Sequence, residues 1–419
     1  MPHPHLIAFL LLTLALFKGA QATSPTLLIP GMDQDLDARE SATSGRTPTW
    51  SSTIAFLEHQ GMHFGGSFLV SGNGGQPGSV YDPKANLFEL RFSAGAAVDG
   101  IGLKALEVAR AVQRLRTHTK AAKVNLIAYS AGGLAARLYL QNALAGVPYR
   151  GDVERLITIA TPHLGAAFAT RLGDWLGTRA TSLKPDADTI VSLNRDLPLP
   201  ADTLFAAIVV RGLGADVRGK GRSYVALADP ARIDDLPWDL STGGDQVVHV
   251  RSQNLALAPQ AKKYEQYSGR PILYLLARVP DPSPGDLDWN GRKVHEVALD
   301  DPEVQTTLWQ LLQDDSAWTD NGPTWQKQQL RLHAYGLAEQ ALLARKPWAR
   351  ITDGELISYT PIPDRGARFR FIARIETRGY LLRSWKRHWR VAAEAGCELD
   401  DFGRVHRCAP TGRVSIHNQ

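Results

Sequence analysis

The stretch KVNLIAYSAGGLAARLY, residues 123–139, constrains the fold more tightly than any other. Residues 124–128 are apolar except for Asn125 and partly β-branched, the pattern of a buried strand. Gly132 and Gly133 follow, then Leu134, Ala135, Ala136, Leu138 and Tyr139, which read as a helix with an apolar face. Ser130 therefore stands on a sharp strand-to-helix turn. The residues two before and two after it, Ala128 and Gly132, are small, as so tight a bend requires. Such a turn lifts the hydroxyl clear of the sheet and sets the N–H groups of a helix start behind it. The same residues also suit a serine that merely caps a helix, so partners elsewhere in the chain must decide.

Before this stretch come an apolar run at 26–29 ending in Pro30-Gly31-Met32, an amphipathic helix over 50–60, strand patterns at 68–70 and 87–92, and a strong helix over 102–116. The glycine-rich segment 71–79 lacks the Lys-Ser/Thr of a phosphate loop and reads as a connection. After it come a strand at 155–160, candidate helices at 167–176 and 187–195, and strands at 204–210 and 272–277. A helix opens at Asp301-Pro302 and runs through Leu312. Strands alternating with helices at this spacing give a parallel sheet with helical crossovers, an α/β fold.

Here the chain resembles the bacterial lipase and esterase group of the α/β-hydrolases, related in motif to the lecithin:cholesterol acyltransferase and GPI-inositol-deacylase families. The resemblance rests on LLIPGM, NLIAYSAGGLAARLYL, LITIATPHLGA, GGDQVV and a later His-bearing segment, in that order over roughly residues 26–312. It implies the α/β-hydrolase fold: a mostly parallel central sheet flanked by helices over 23–315, with a lid or cap insertion within 166–240. It also implies a catalytic triad of Ser130, Asp245 and His295 in the chain order this fold uses. The oxyanion hole would be the backbone N–H groups of Met32 and Ala131. In this scheme the carboxylate holds the imidazole tautomer and stabilises the imidazolium formed during attack. Asp234 and Asp235 are the other acids in reach. His249 lies too close in sequence to Asp245 to swing across the site, while His333 and His388 lie beyond the core. His163, in the ATPHLG segment, is expected to shape the site wall without acting as the base.

Residues 6–17 (LIAFLLLTLALF) form an apolar run of 12 residues, too short to span a bilayer. Ala20-Gln21-Ala22 follows as a small-x-small cleavage site, so residues 1–22 read as a cleaved signal peptide and the chain as periplasmic or secreted. In an exported protein the two cysteines, Cys397 and Cys408, read as a disulfide closing a small loop. A zinc site would need two further ligands at suitable spacing. No cofactor or metal is implied.

Past residue 315 the pattern changes. One helix or a pair over 325–344 precedes alternating runs at 355–359, 369–375, 380–385 and 389–392, so 316–419 reads as a helix plus a small β-rich C-terminal domain. Residues 345–419 hold 15 Lys/Arg against 8 Asp/Glu, a basic surface suited to transient contact with a membrane surface or cell envelope. The whole chain, with 47 basic and 42 acidic residues, is only mildly basic and carries no nucleic-acid motif. The expected activity is cleavage of carboxylic esters, lipid esters foremost, with no nucleic acid involved. Acyl transfer to an alcohol would use the same triad, and a catalytically silent binding protein on the same scaffold is the reading from another class.

Overall fold

The computed structural model of the protein describes residues 24–31, 49–69, 84–93, 96, 100–166, 181–213, 245, 247–280, 294–313, 318, 323–346, 350–362, 368–378, 386–399 and 405–419. The expected signal peptide, the glycine-rich segment, the helix at 167–176, Asp234, Asp235 and the strand at 380–385 lie outside these residues.

Seven strands form the central sheet: β1 (Thr26–Ile29), β2 (Phe64–Leu69), β3 (Leu87–Arg91), β4 (Val124–Tyr129), β5 (Val153–Ile159), β6 (Leu204–Leu213) and β7 (Leu273–Pro280). Their order is β2-β3-β1-β4-β5-β6-β7, and every neighbouring pair is parallel. Parallel pairs need crossovers, supplied here by α1 (Ser51–His59), α2 (Ile101–Thr119), α3 (Ala131–Leu140), α4 (Asp188–Arg195), the four-residue turn α5 (Val250–Gln253) and α6 (Pro259–Ser268). The short turn α7 (Val294–Val297) and α8 (Pro302–Gln313) follow β7.

The period-2 alternation of strands sorts the core into two layers. Leu27 and Ile29 of β1 and Leu126 and Ala128 of β4 pack with α2 and α3. Leu28, Ile127 and Tyr129 pack on the other face with α1 and α8. All six residues of β4 are buried, as expected of a central strand covered on both sides. α8 is pinned at both ends. Asp301 Oδ1 accepts from the N–H groups of Glu303 (2.8 Å) and Val304 (3.3 Å), a side-chain N-cap. Arg155 donates to the closing carbonyls of Leu311 (3.2 Å) and Leu312 (2.8 Å).

Two strands differ from their sequence patterns. β2 begins at Phe64, ahead of the expected 68–70, and takes in two glycines that propensity disfavours. Pairing with β3, which shifts register between Phe64 and Ser67, carries that segment. β7 continues past residue 277 because β6 pairs with it through Pro280.

The described part of the C-terminal region lays helix α9 (Pro323–Arg345) on an antiparallel sheet of β8 (Arg350–Pro361), β9 (Arg368–Arg378), β10 (Lys386–Leu399), β11 (Val405–Pro410) and β12 (Ser415–Asn418). The order is β11-β10-β9-β8, with β12 also pairing β10. Phe369, Phe371, Ala373 and Ile375 alternate inward and meet Trp389, Val391 and the α9 residues Leu330, Ala334, Ala338 and Leu342. Cys397 and Cys408 stand opposite each other on β10 and β11 and are joined as a disulfide.

Candidate active site

Ser130 follows the last residue of β4 and caps α3 with φ 52° and ψ −131°. A non-glycine residue in this region costs about 1–3 kcal/mol and persists only where its surroundings enforce it. Two features enforce it here. The Ser130 N–H donates to the Ile159 carbonyl at 2.9 Å. Gly132 packs against the end of β1 so closely that a Cβ there would fall 2.2 Å from the Pro30 carbonyl oxygen. A Cβ on Gly31 would in turn lie 3.0 Å from Ser130 Cβ and 3.4 Å from its Oγ, so Gly31 lies directly beside the hydroxyl. Ala131, the first residue of α3, is buried behind it. Met32 lies outside the described residues.

Ser130, Asp245 and His295, separated by 115 and 50 positions in sequence, meet at the carboxyl ends of the strands. His295 Nε2 is 2.9 Å from Ser130 Oγ, and its Nδ1 is 2.6 Å from Asp245 Oδ2. A single tautomer fits: Nδ1–H donates to the carboxylate and Nε2 accepts from the serine hydroxyl. The His295 N–H also donates to the Asp245 carbonyl at 2.9 Å. Asp245 is fully buried, and its Oδ1 accepts from the N–H groups of Val247 (3.0 Å) and Val248 (2.7 Å). Both carboxylate oxygens are thus bonded, which is what a buried charge needs. His295 sits in the short helical turn α7, and Asp245 lies between β6 and α5.

Residues 91–192 match the family described as "Putative serine esterase (DUF676)". With the parallel sheet and the elbow, that decides the fold. The fold is that of the α/β-hydrolases. Comparison with curated proteins returned no match. Among solved structures, this chain is similar to the lin2722 gene product of Listeria innocua at 14% identity, covering 70% of this chain and 94% of that one, with a TM-score of 0.43. It is similar to phospholipase PlaB from Legionella pneumophila in complex with thio-NAD at 13% identity, covering 94% and 91%, with a TM-score of 0.43. It is also similar to lipase 1 from Pelosinus fermentans at 13% identity, covering 70% and 99%, with a TM-score of 0.39.

Behind Ser130, Asp245 and His295 lies a supporting layer, of which sequence patterns singled out only His163. Gln253 accepts from the Val210 N–H at 2.6 Å and donates to the carbonyls of Val210 (3.0 Å) and Val248 (2.9 Å), tying the Asp245 turn to β6. Ser252 accepts from the Leu164 N–H at 3.1 Å and donates to the Gly165 carbonyl. His163 is fully buried, so it braces the loop after β5 from within and forms no part of an open wall. Its Nδ1 faces Arg137 at 3.4 Å and its Nε2 faces Thr158 Oγ1 at 3.0 Å. Burial, reinforced by the Arg137 charge, pushes the His163 pKa well below its ordinary value. Arg137 is itself fully buried on α3, donating to Gln141, Asn194 and the Leu193 carbonyl, and burial pulls its pKa down to about 9. Of the competing histidines, His388 is exposed on β10 and His333 lies on α9, both in the C-terminal part. Among the described residues no group of three or more His, Cys, Asp and Glu side chains is arranged to hold a metal.

Proposed function

We propose that this chain is an exported serine hydrolase of carboxylic esters, lipid esters foremost. The observation that carries the proposal is the continuous series Ser130 Oγ–His295 Nε2–Nδ1–Asp245 Oδ2, with links of 2.9 and 2.6 Å, mounted on a strained elbow. His295 takes the hydroxyl proton as Ser130 Oγ bonds to the ester carbonyl carbon. Asp245 stabilises the resulting imidazolium. The tetrahedral oxyanion forms at the start of α3, where the Ala131 N–H serves it, with the Met32 N–H as the second donor. Collapse breaks the ester C–O bond, and His295 returns the proton to the leaving alcohol. Water then loses a proton to His295 as its oxygen bonds to the acyl carbon; the C–Oγ bond breaks, the acid leaves, and His295 returns the proton to Ser130 Oγ.

Export is supported by the apolar run 6–17, by the small-x-small site at 20–22, and by the Cys397–Cys408 disulfide. The exposed bases of the C-terminal sheet support contact with an anionic envelope surface.

The test is covalent labelling with a fluorophosphonate, together with p-nitrophenyl esters of increasing chain length, with and without an alcohol acceptor. Wild type is expected to label and to release p-nitrophenol, and Ser130→Ala to do neither. Equal labelling of both proteins would remove Ser130 from the chemistry. Product carrying the alcohol would make the enzyme an acyltransferase on the same triad.

A further inference from the structure

The main chain of His295 is held at both of its polar atoms. Its N–H is taken by the Asp245 carbonyl, and its own carbonyl accepts a hydrogen bond from the Tyr129 hydroxyl at 2.5 Å. The Tyr129 ring also lies against the imidazole, with centroids 5.0 Å apart and planes inclined by 33°. The same ring meets Trp50 edge-on, with centroids 6.4 Å apart. Tyr129 is buried and is the last residue of β4, one peptide bond before Ser130.

We propose that Tyr129 is a positioning residue that sets the distance and angle between the nucleophile and its base. This rests on reading Ser130, His295 and Asp245 as the reacting triad. The base arrives on a four-residue turn, 165 positions downstream of the nucleophile, and a turn so short has little rigidity of its own. The Tyr129 bond fastens that turn to the same strand end that carries Ser130. Any displacement of β4 therefore moves nucleophile and base together. A phenylalanine would fill the same space and pack on the same ring. Only the hydroxyl reaches the His295 carbonyl, so the hydroxyl is the part assigned this role.

The test is Tyr129→Phe on the full chain with a soluble p-nitrophenyl ester, with rates expressed per site titrated by fluorophosphonate so that only folded sites count. We expect kcat to fall about 10- to 100-fold, the scale of losing an outer hydrogen bond that orients a metal ligand, with KM within about twofold of wild type. The low-field NMR resonance of the His295 Nδ1 proton, which reports the short bond to Asp245, is expected to shift or broaden. Three results would overturn the assignment: an unchanged per-site kcat, a loss confined to KM, or a slower enzyme whose low-field proton is unmoved. Failure of the underlying reading looks different, because wild type itself would then take no label.

Discussion

Asp245 grips His295 twice, through its carboxylate to Nδ1 at 2.6 Å and through its carbonyl to the main-chain N–H at 2.9 Å. The second grip survives any change of side chain, so acid variants separate orientation from charge. Asp245→Asn keeps an acceptor but presents an N–H₂ that favours the wrong imidazole tautomer. Its kcat is expected to fall about 10⁴-fold with the fold intact. Asp245→Ala also strips the acceptor from the N–H groups of Val247 and Val248, so it should lower the melting temperature as well. Steady-state kinetics per titrated site, paired with thermal melts, checks both. An Asn variant within tenfold of wild type would remove Asp245 as the orienting acid.

The elbow is built on the absence of one side chain. A Cβ on Gly132 would fall 2.2 Å from the Pro30 carbonyl oxygen, which belongs to backbone and cannot swing aside. Gly132→Ala is therefore expected to destabilise the protein by roughly 2 kcal/mol or more and to abolish ester hydrolysis. Gly102, in the first turn of α2, has open space where its Cβ would go and an ordinary backbone. Gly102→Ala should leave activity untouched and raise stability by about 0.5–1 kcal/mol. Denaturant melts of the two variants side by side give the comparison. Equal tolerance of both would mean that the turn can relax.

How far the sequence could be read follows from how far each signal reaches along the chain. The elbow was legible because its constraint is local: a buried run, a serine, and small residues two positions either side. Asp245 and His295 were legible as types in an expected order, since a glycine-rich turn and a helix start frame them. Tyr129 was not, because it fills the variable position of the serine motif and its partner lies 166 residues away. Gln253 and Arg137 stayed hidden for the same reason. An interior amide or guanidinium carries no periodic signature, and its acceptors are main-chain atoms of other elements. In the C-terminal part, alternation of Phe369, Phe371, Ala373 and Ile375 announced a strand. The full length of β10 came only from its partners, since β9, β11 and β12 all pair with it.

His163 makes the brace behind the elbow sensitive to acid. In the native state burial and Arg137 hold the imidazole neutral, whereas in the unfolded chain it titrates near an ordinary value of about 6.5. Below that pH the unfolded chain binds a proton that the native state refuses. Native stability therefore falls as pH drops through about 6.5, and this contribution is fully present only above it. The slope from this one group approaches about 1.4 kcal/mol per pH unit at most. His163→Gln keeps hydrogen-bonding capacity without a titration, so its stability should vary less between pH 7 and 5 than that of wild type. Urea midpoints across that range decide the matter. Parallel curves for the two proteins would show that His163 protonates without cost.

The outward face of the C-terminal sheet gives the proposed envelope contact a measurable form. Arg368, Arg370 and Arg374 alternate along β9, and Lys386, His388 and Arg390 along β10, with His417 of β12 across from Arg390; all seven are exposed. Two acids temper the face: Glu376 lies 3.1 Å from Lys386, and Glu394 lies 3.5 Å from Arg370. Bases still outnumber the acids named here, and each basic residue near an anionic bilayer is worth about 1 kcal/mol at low salt. Reversing three charges by Arg368→Glu, Arg374→Glu and Arg390→Glu should therefore cost tenfold or more in partition onto phosphatidylglycerol-containing vesicles, roughly the effect of losing two or three such contacts. Wild type is expected to bind those vesicles, to release them in high salt, and to ignore pure phosphatidylcholine. Hydrolysis of a soluble ester should be the same in both proteins, because the altered residues lie on a different sheet from Ser130. Equal binding to neutral and anionic vesicles would mean that the charges serve only the solubility of an exposed sheet.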